Sequence, residues 1–164
     1  MRPPRTFASY ALPFLALLLC SAPAAAQGTL KGPAAVCGWL TPAQLQKALG
    51  SQFAAPERHD WPPAYAGQPW GTSCTFNAGS SSDVVLIGYI DPSAAEAKAT
   101  FERLSTFFPP ESKVTGVGDE AYIDKNGAIH VLKGKYRYFI RIDGGGAQGK
   151  AQVQNLAGLV AGVL

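Results

Sequence analysis

"EAYIDKNGAIHVLKGKYRYFIRI", residues 120–142, decides the fold. Three apolar runs are separated by Asn126-Gly127 and by Gly134. Asn-Gly between alternating apolar residues is a strong hairpin signal, because its turn needs positive φ. The stretch therefore predicts an antiparallel meander. One strand runs from about Glu120 to Asp124, a second through "AIHVLK" and a third through "YRYFIRI".

Side chains alternate across a strand, so the meander has two faces. Tyr136, Tyr138, Ile140 and Ile142 share the first; Arg137, Phe139 and Arg141 share the second. Two-residue turns set Val131 opposite both Tyr138 and Tyr122, and His130 opposite Phe139 and Ile123. The first face reads as core. The second carries Ala121, Ile123, His130, Leu132 and Phe139, edged by Arg137 and Arg141. Either a helix covers it or it is an exposed apolar patch of the kind that marks a binding surface. A one-residue shift would swap the faces.

Just upstream, "GVGDEAY" (116–122) holds adjacent carboxylates, Asp119 and Glu120. Neighbouring strand residues point to opposite faces, so the pair does not converge on a substrate as acid catalysis requires. The stretch reads as a structural turn. Gly116 and Gly118 permit positive φ at a tight approach to the sheet. Asp119 accepts backbone N–H groups. Glu120 pairs across the strands with Lys133, and Tyr122 faces the core.

Further upstream, "TSCTFN" and "VVLIGYI" read as strands, joined by the turn "GSSSD". Asp91-Pro92, with Ser93 and Glu96, opens a helix whose apolar face is Ala94, Ala97, Phe101, Leu104 and Phe108. Pro109-Pro110 stops it. "CGWLTPAQLQKALG" is a short helix with its punctuation: Thr41 as N-cap, Pro42 in the first turn, Gln44 closing a capping box and Gly50 as C-cap. Residues 51–71 have no clean period and read as a long loop holding Trp61, Tyr65 and Trp70. Long loops in compact domains are often functional, but aromatics there can also simply close one end of a core. The chain ends in a helix with the stripe Val153, Leu156, Val160 and Val163, too short and amphipathic to span a membrane. The order is α-β-β-α-β-β-β-α: a single α+β domain with a mostly antiparallel sheet of about five strands and helices packed on it.

The start of the chain sets the compartment. "MRPPRTFASYALPFLALLLCSAPAAAQ" has basic Arg2 and Arg5, an apolar run and an Ala-x-Ala site ending at Ala26. Residues 1–26 read as a secretory signal peptide, leaving 27–164 as the exported domain, periplasmic or secreted. Lipid attachment at Cys20 is disfavoured because Leu19, before it, is not small. Arg2 and Arg5 supply two of the three net positive charges of the chain. The remainder has no nucleic-acid footprint. Cys37 and Cys74 remain, and in an exported chain they are expected to form one disulfide, the alternative being two separate buried thiols.

Two decoys carry little. "GGGAQGKA" (144–151) has phosphate-loop spacing, but Ala151 stands where Mg²⁺ binding needs Ser or Thr, and no further strand follows. His59 and His130 are the only histidines, and neither has a partner at metal-ligand spacing. No cofactor and no metal is expected. His59-Asp60 reads as a pair of polar ligand contacts or as plain solvated loop residues.

Taken in order, "CGWLTPAQLQKALG", "CTF", "VTGVGDEAYI" and "LAGLVAGVL" resemble a family of small exported bacterial proteins of unknown function. Many are actinobacterial envelope lipoproteins reading Cys-x-Leu-Leu-Thr, then a Cys followed by an aromatic, then Gly-x-Gly-Asp-Glu-Ala. The resemblance implies an extracytoplasmic domain with Cys37 bonded to Cys74 and no established catalytic residues. This chain departs from it in lacking a good lipobox. The resulting expectation is an exported, non-catalytic binding or accessory domain of the cell envelope. Its contacts would be Trp61, Tyr65, Trp70, His130, Phe139, Arg137 and Arg141, and its partner an envelope component or small ligand. The alternatives are a small envelope hydrolase using a loop serine with His59 or His130, and a structural subunit dimerising through the second face.

Overall fold

The computed structural model describes residues 33–79, 83–144 and 149–164. The signal segment 1–26, Cys20, the "SSS" of the expected turn and residues 145–148 of the glycine-rich run lie outside the described residues. After a 3-10 turn at Pro33–Gly38 come α1 (Pro42–Leu49), β1 (Glu57–Trp61), β2 (Trp70–Phe76) and β3 (Val84–Ile90). Then follow α2 (Ala94–Phe107), β4 (Pro110–Val114), β5 (Glu120–Asp124), β6 (Ile129–Lys133), β7 (Tyr136–Ile142) and α3 (Gly149–Ala161). The seven strands form one antiparallel sheet in the order β1-β2-β3-β7-β6-β5-β4.

The fold is α+β, with the five expected strands at its centre and two more at its margins. β1 lies inside the stretch expected to be a loop, and β4 begins at the second proline of the Pro-Pro stop. Their sequences, "ERHDW" and "PESKV", are mostly polar, and among the described residues each borders only one other strand. An edge strand buries little, so it needs no apolar alternation, and charge on it discourages stray pairing.

The β5–β6 register differs by one residue from the expected one. The Asp124 N–H donates to the Ala128 carbonyl, so the turn holds three residues rather than two. One Asp124 carboxylate oxygen, Oδ1, accepts from the N–H groups of both Asn126 and Ala128, and Gly127 sits at φ +82°. This is a turn followed by a left-handed residue, the second commonest hairpin solution. Tyr122 therefore lies opposite His130, and Ala121 and Ile123 oppose Val131 and Ile129. Ala121 and Ile123 move to the first face, Tyr122 to the second. Glu120 opposes Leu132 rather than Lys133 and pairs instead with Lys98 of α2 at 3.2 Å.

The first face is the main core. The 3-10 turn, α1 and α3 cover it, burying Val36, Trp39, Leu40, Leu45, Val153, Leu156 and Val160 against Leu86, Val131, Tyr138 and Ile140. Thr41 and Gln44 form the expected capping box, and Gly50 closes α1 at φ +78°. Gly88, in mid-strand, makes the seat for Trp39: a Cβ there would stand 2.5 Å from the indole Cζ3. The Tyr138 hydroxyl donates to the Ala157 carbonyl at 2.7 Å, tying β7 to α3. Burial pushes that phenol's pKa up. Cys37 and Cys74 are bonded, with Cα atoms 5.4 Å apart, so the 3-10 turn is stapled to β2. In the chain-entropy account a bridge closing a loop of this size stabilises by about 3–4 kcal/mol.

No helix of the described residues is long and apolar enough to cross a membrane.

Candidate functional site

The registers line up one row of residues across all seven strands on the second face: His59, Ser73, Ile87, Phe139, His130, Tyr122 and Lys113. A neighbouring row runs Trp61, Gly71, Tyr89, Arg137, Leu132 and Glu120. Helix α2 lies over only part of these rows. Its Ala97 and Phe101 pack with Tyr122 and Leu132 in a second, smaller buried cluster. The expected choice between a covering helix and an open patch resolves into both, side by side.

Under the helix the rows are closed, and the Tyr122 hydroxyl is buried there without a hydrogen-bond partner among the described residues. The His130 ring stacks on Tyr122 at 4.8 Å and 11°, and on Phe139 at 5.6 Å and 23°. Phe108, at the end of α2, stacks on the same imidazole at 5.5 Å. His130 Nε2 lies 3.0 Å from Asp124 Oδ2, the carboxylate that also shapes the β5–β6 turn. Burial pushes the His130 pKa below its ordinary value, and the Asp124 contact only partly opposes this. The imidazole is therefore neutral at pH 7 and donates to Asp124 through Nε2–H. Burial, reinforced by the Asp124 charge, holds the Tyr122 phenol at about 12.

Arg137 is buried as well. Its Nε donates to Asp91 Oδ2 at 2.7 Å and its Nη2 to Asp91 Oδ1 at 3.1 Å, a bidentate fork. Its guanidinium also sits 4.8 Å from the Tyr89 ring centroid. Asp91 thus anchors the sheet rather than capping α2. Ser93 is that helix's N-cap, accepting from the Glu96 N–H. A cavity of about 30 Å³, bordered by Tyr89, Leu104, His130, Arg137 and Phe139, lies at the rim of α2. It has room for about one water.

Away from the helix the same rows are open. Trp61 is 40% exposed, and its indole meets the His59 ring edge-on at 5.0 Å. Gly71 forms a floor between two rings: a Cβ there would stand 3.0 Å from Tyr89 Cε1 and 3.1 Å from Trp61 Cε3. Ser73, Thr75, Ile87, Tyr89 and Phe139 are half-buried, and Arg141 is exposed with its guanidinium on Asp143 at 3.0 Å. The open half is thus a strip of aromatic and aliphatic side chains bordered by hydroxyls and charges.

Of the residues singled out from the sequence, Trp61, Phe139 and Arg141 come together on this open strip. His130 and Arg137 share the face but are buried beneath or beside α2. Tyr65 is 70% exposed in the β1–β2 connection. Trp70 opposes Ile90, which places it on the other face, and its indole N–H is buried without a partner among the described residues. Tyr89, Asp91 and Asp124 were not singled out. Asp-Pro reads as a helix start, which hides the role of Asp91. Asp124 two residues before Asn-Gly carries an Asx-turn signal that could have found it.

The turn residues behave as architecture. Gly116 and Gly118 sit at φ +78° and +63°. The Asp119 N–H donates to the Leu132 carbonyl, and its carboxylate accepts from the Gly134 N–H at 2.6 Å. A cleft of about 430 Å³ between α2 and β4–β5 includes Glu102, Lys113, Asp119 and Glu120 in its lining. Its rim carries the Lys98–Glu120 pair. Among the described residues no cluster of His, Cys, Asp and Glu could hold a metal ion.

Comparison with known proteins finds no matching family model and no matching curated protein.

Proposed function

We propose that this chain is an exported, non-catalytic binding or accessory domain of the cell envelope, and that the open half of the second face is its contact surface. One observation carries the reading. Helix α2 stops short of β1–β3, leaving Trp61, Tyr89, Ile87 and Phe139 partly exposed across four adjacent strands. Exposed apolar strips bordered by polar groups mark interaction sites, and aromatic side chains are the usual anchors there. The sequence resemblance to small envelope proteins supports the compartment.

A binding role fits His130 better than a hydrolytic one. The His130 imidazole is enclosed by three rings and held by Asp124. A general base must instead reach the proton it takes.

The test is co-sedimentation of the purified protein with isolated cell-wall material and with vesicles of envelope lipids. Binding to one fraction is expected, weakened about tenfold or more by Trp61→Ala or Phe139→Asp. Asp119→Asn, outside the strip, should bind as the parent does. Each variant must keep its far-ultraviolet dichroism and cooperative melt. Folded aromatic variants that bind normally, or a folded Asp119→Asn that does not bind, count against the reading.

A further inference from the structure

The two margins of the sheet are built differently. β4 begins with Pro110, its register with β5 shifts between Pro110 and Ser112, and Glu111 is tied to Lys150 of α3 at 2.6 Å. These features blunt an edge. β1 has none of them. It pairs with β2 over five consecutive residues without a shift, contains no proline, and is the terminal strand on its side among the described residues. Such an edge presents a row of backbone N–H and C=O groups to any further strand.

The sequence of β1, Glu57-Arg58-His59-Asp60-Trp61, says which strand fits. Its charges oppose pairing with a generic apolar strand. They favour pairing with an antiparallel copy of β1. We propose that two copies of this chain join β1 to β1 with His59 on the two-fold axis, so that Arg58 of each faces Asp60 of the other.

The register is singled out by two conditions. Antiparallel neighbours must match outward-facing backbone groups, and one-residue shifts break that match and turn side chains to the wrong face. Of the remaining two-residue shifts, one sets Arg58 against Arg58 and the other Asp60 against Asp60. Like charges directly opposite destabilise, whereas opposite charges stabilise. Within one chain Arg58 already contacts Asp60 at 2.9 Å, and Thr72 donates to the same carboxylate at 2.8 Å. The dimer extends this pair into a quartet of alternating sign on the first face. On the second face the two open strips meet, with Trp61, His59 and their copies along the seam. The proposal goes beyond the binding reading and does not depend on it.

Sedimentation equilibrium over a concentration series tests it. The parent chain should dimerise. Arg58→Asp or Asp60→Arg alone should weaken the dimer about tenfold or more, since two symmetric contacts turn from attractive to repulsive. A mixture of these two variants should regain it, because the new aspartate of one faces the new arginine of the other. Should either single change disturb folding, the double exchange Arg58→Asp/Asp60→Arg keeps the internal pair. It should dimerise with itself but not with the parent chain. A parent chain that stays monomeric at every soluble concentration overturns the proposal. So does a dimer indifferent to these exchanges, or a double exchange that mixes freely with the parent.

Discussion

Tyr122 and His130 stand directly opposite one another across β5 and β6, their rings 4.8 Å apart and nearly parallel. Asp124 holds the imidazole edge at 3.0 Å. Burial lowers the His130 pKa from its ordinary 6.5. The unfolded chain therefore takes up this proton at higher pH than the folded one. Stability is fully present above about 6.5 and falls as the pH drops through that value towards the lowered folded pKa. Thermal melts of the parent should show this decline. His130→Gln, whose amide can still donate to Asp124, should flatten it. An unchanged pH profile in that variant would place the titrating group elsewhere.

Gly116 and Gly118 share positive φ but not surroundings. A Cβ on Gly116 meets nothing within 4 Å, whereas on Gly118 it would stand 2.5 Å from the Leu132 carbonyl oxygen. Gly116→Ala should cost about 1–2 kcal/mol, the left-handed penalty alone. Gly118→Ala should cost clearly more, because backbone must move and the Asp119–Leu132 bond with it. Denaturant melts of the two variants give the ranking, and equal losses would contradict the close approach.

The Arg137–Asp91 fork is buried on both sides, with side chains 5% and 2% exposed. Removing one partner leaves the other charged and unpaired. Arg137→Leu should therefore cost about 3–5 kcal/mol. Adding Asp91→Leu should recover part of that loss, because no lone buried charge remains. A double variant no better than the single one would show that the pair acts through packing instead.

Much of this architecture is legible in the sequence itself. Thr41, Gln44 and Gly50 spell out α1 because capping is local chemistry, settled within three or four residues. The apolar strands β2, β3, β6 and β7 announced themselves through burial. What stayed hidden depends on partners distant in sequence. The difference between a two- and a three-residue turn at Asn126-Gly127 is decided by which backbone groups Asp124 captures, and that one residue sends Tyr122 to the opposite side of the sheet. Edge strands β1 and β4 have polar sequences that read as loop. Arg137 reads from sequence as a contact residue edging the second face, because nothing in "YRYFIRI" reveals Asp91 at the end of the neighbouring β3. The open strip was only half visible: Trp61 and Phe139 could be named, but Tyr89 and Gly71 join them only through register.

The sheet also serves as a common wall between two cores of unequal size. The larger is stapled by the Cys37–Cys74 bridge, whereas α2 rests on little more than Ala97 and Phe101 against Tyr122 and Leu132. Local opening free energies follow such differences in buried contact. Amide protons of α2 should exchange through a detachment of that helix alone, well before those of α3, whose exchange requires the main core to break. In such an excursion the Phe101 contact with Tyr122 is lost, and the apolar strip lengthens from β1 across the sheet to β5.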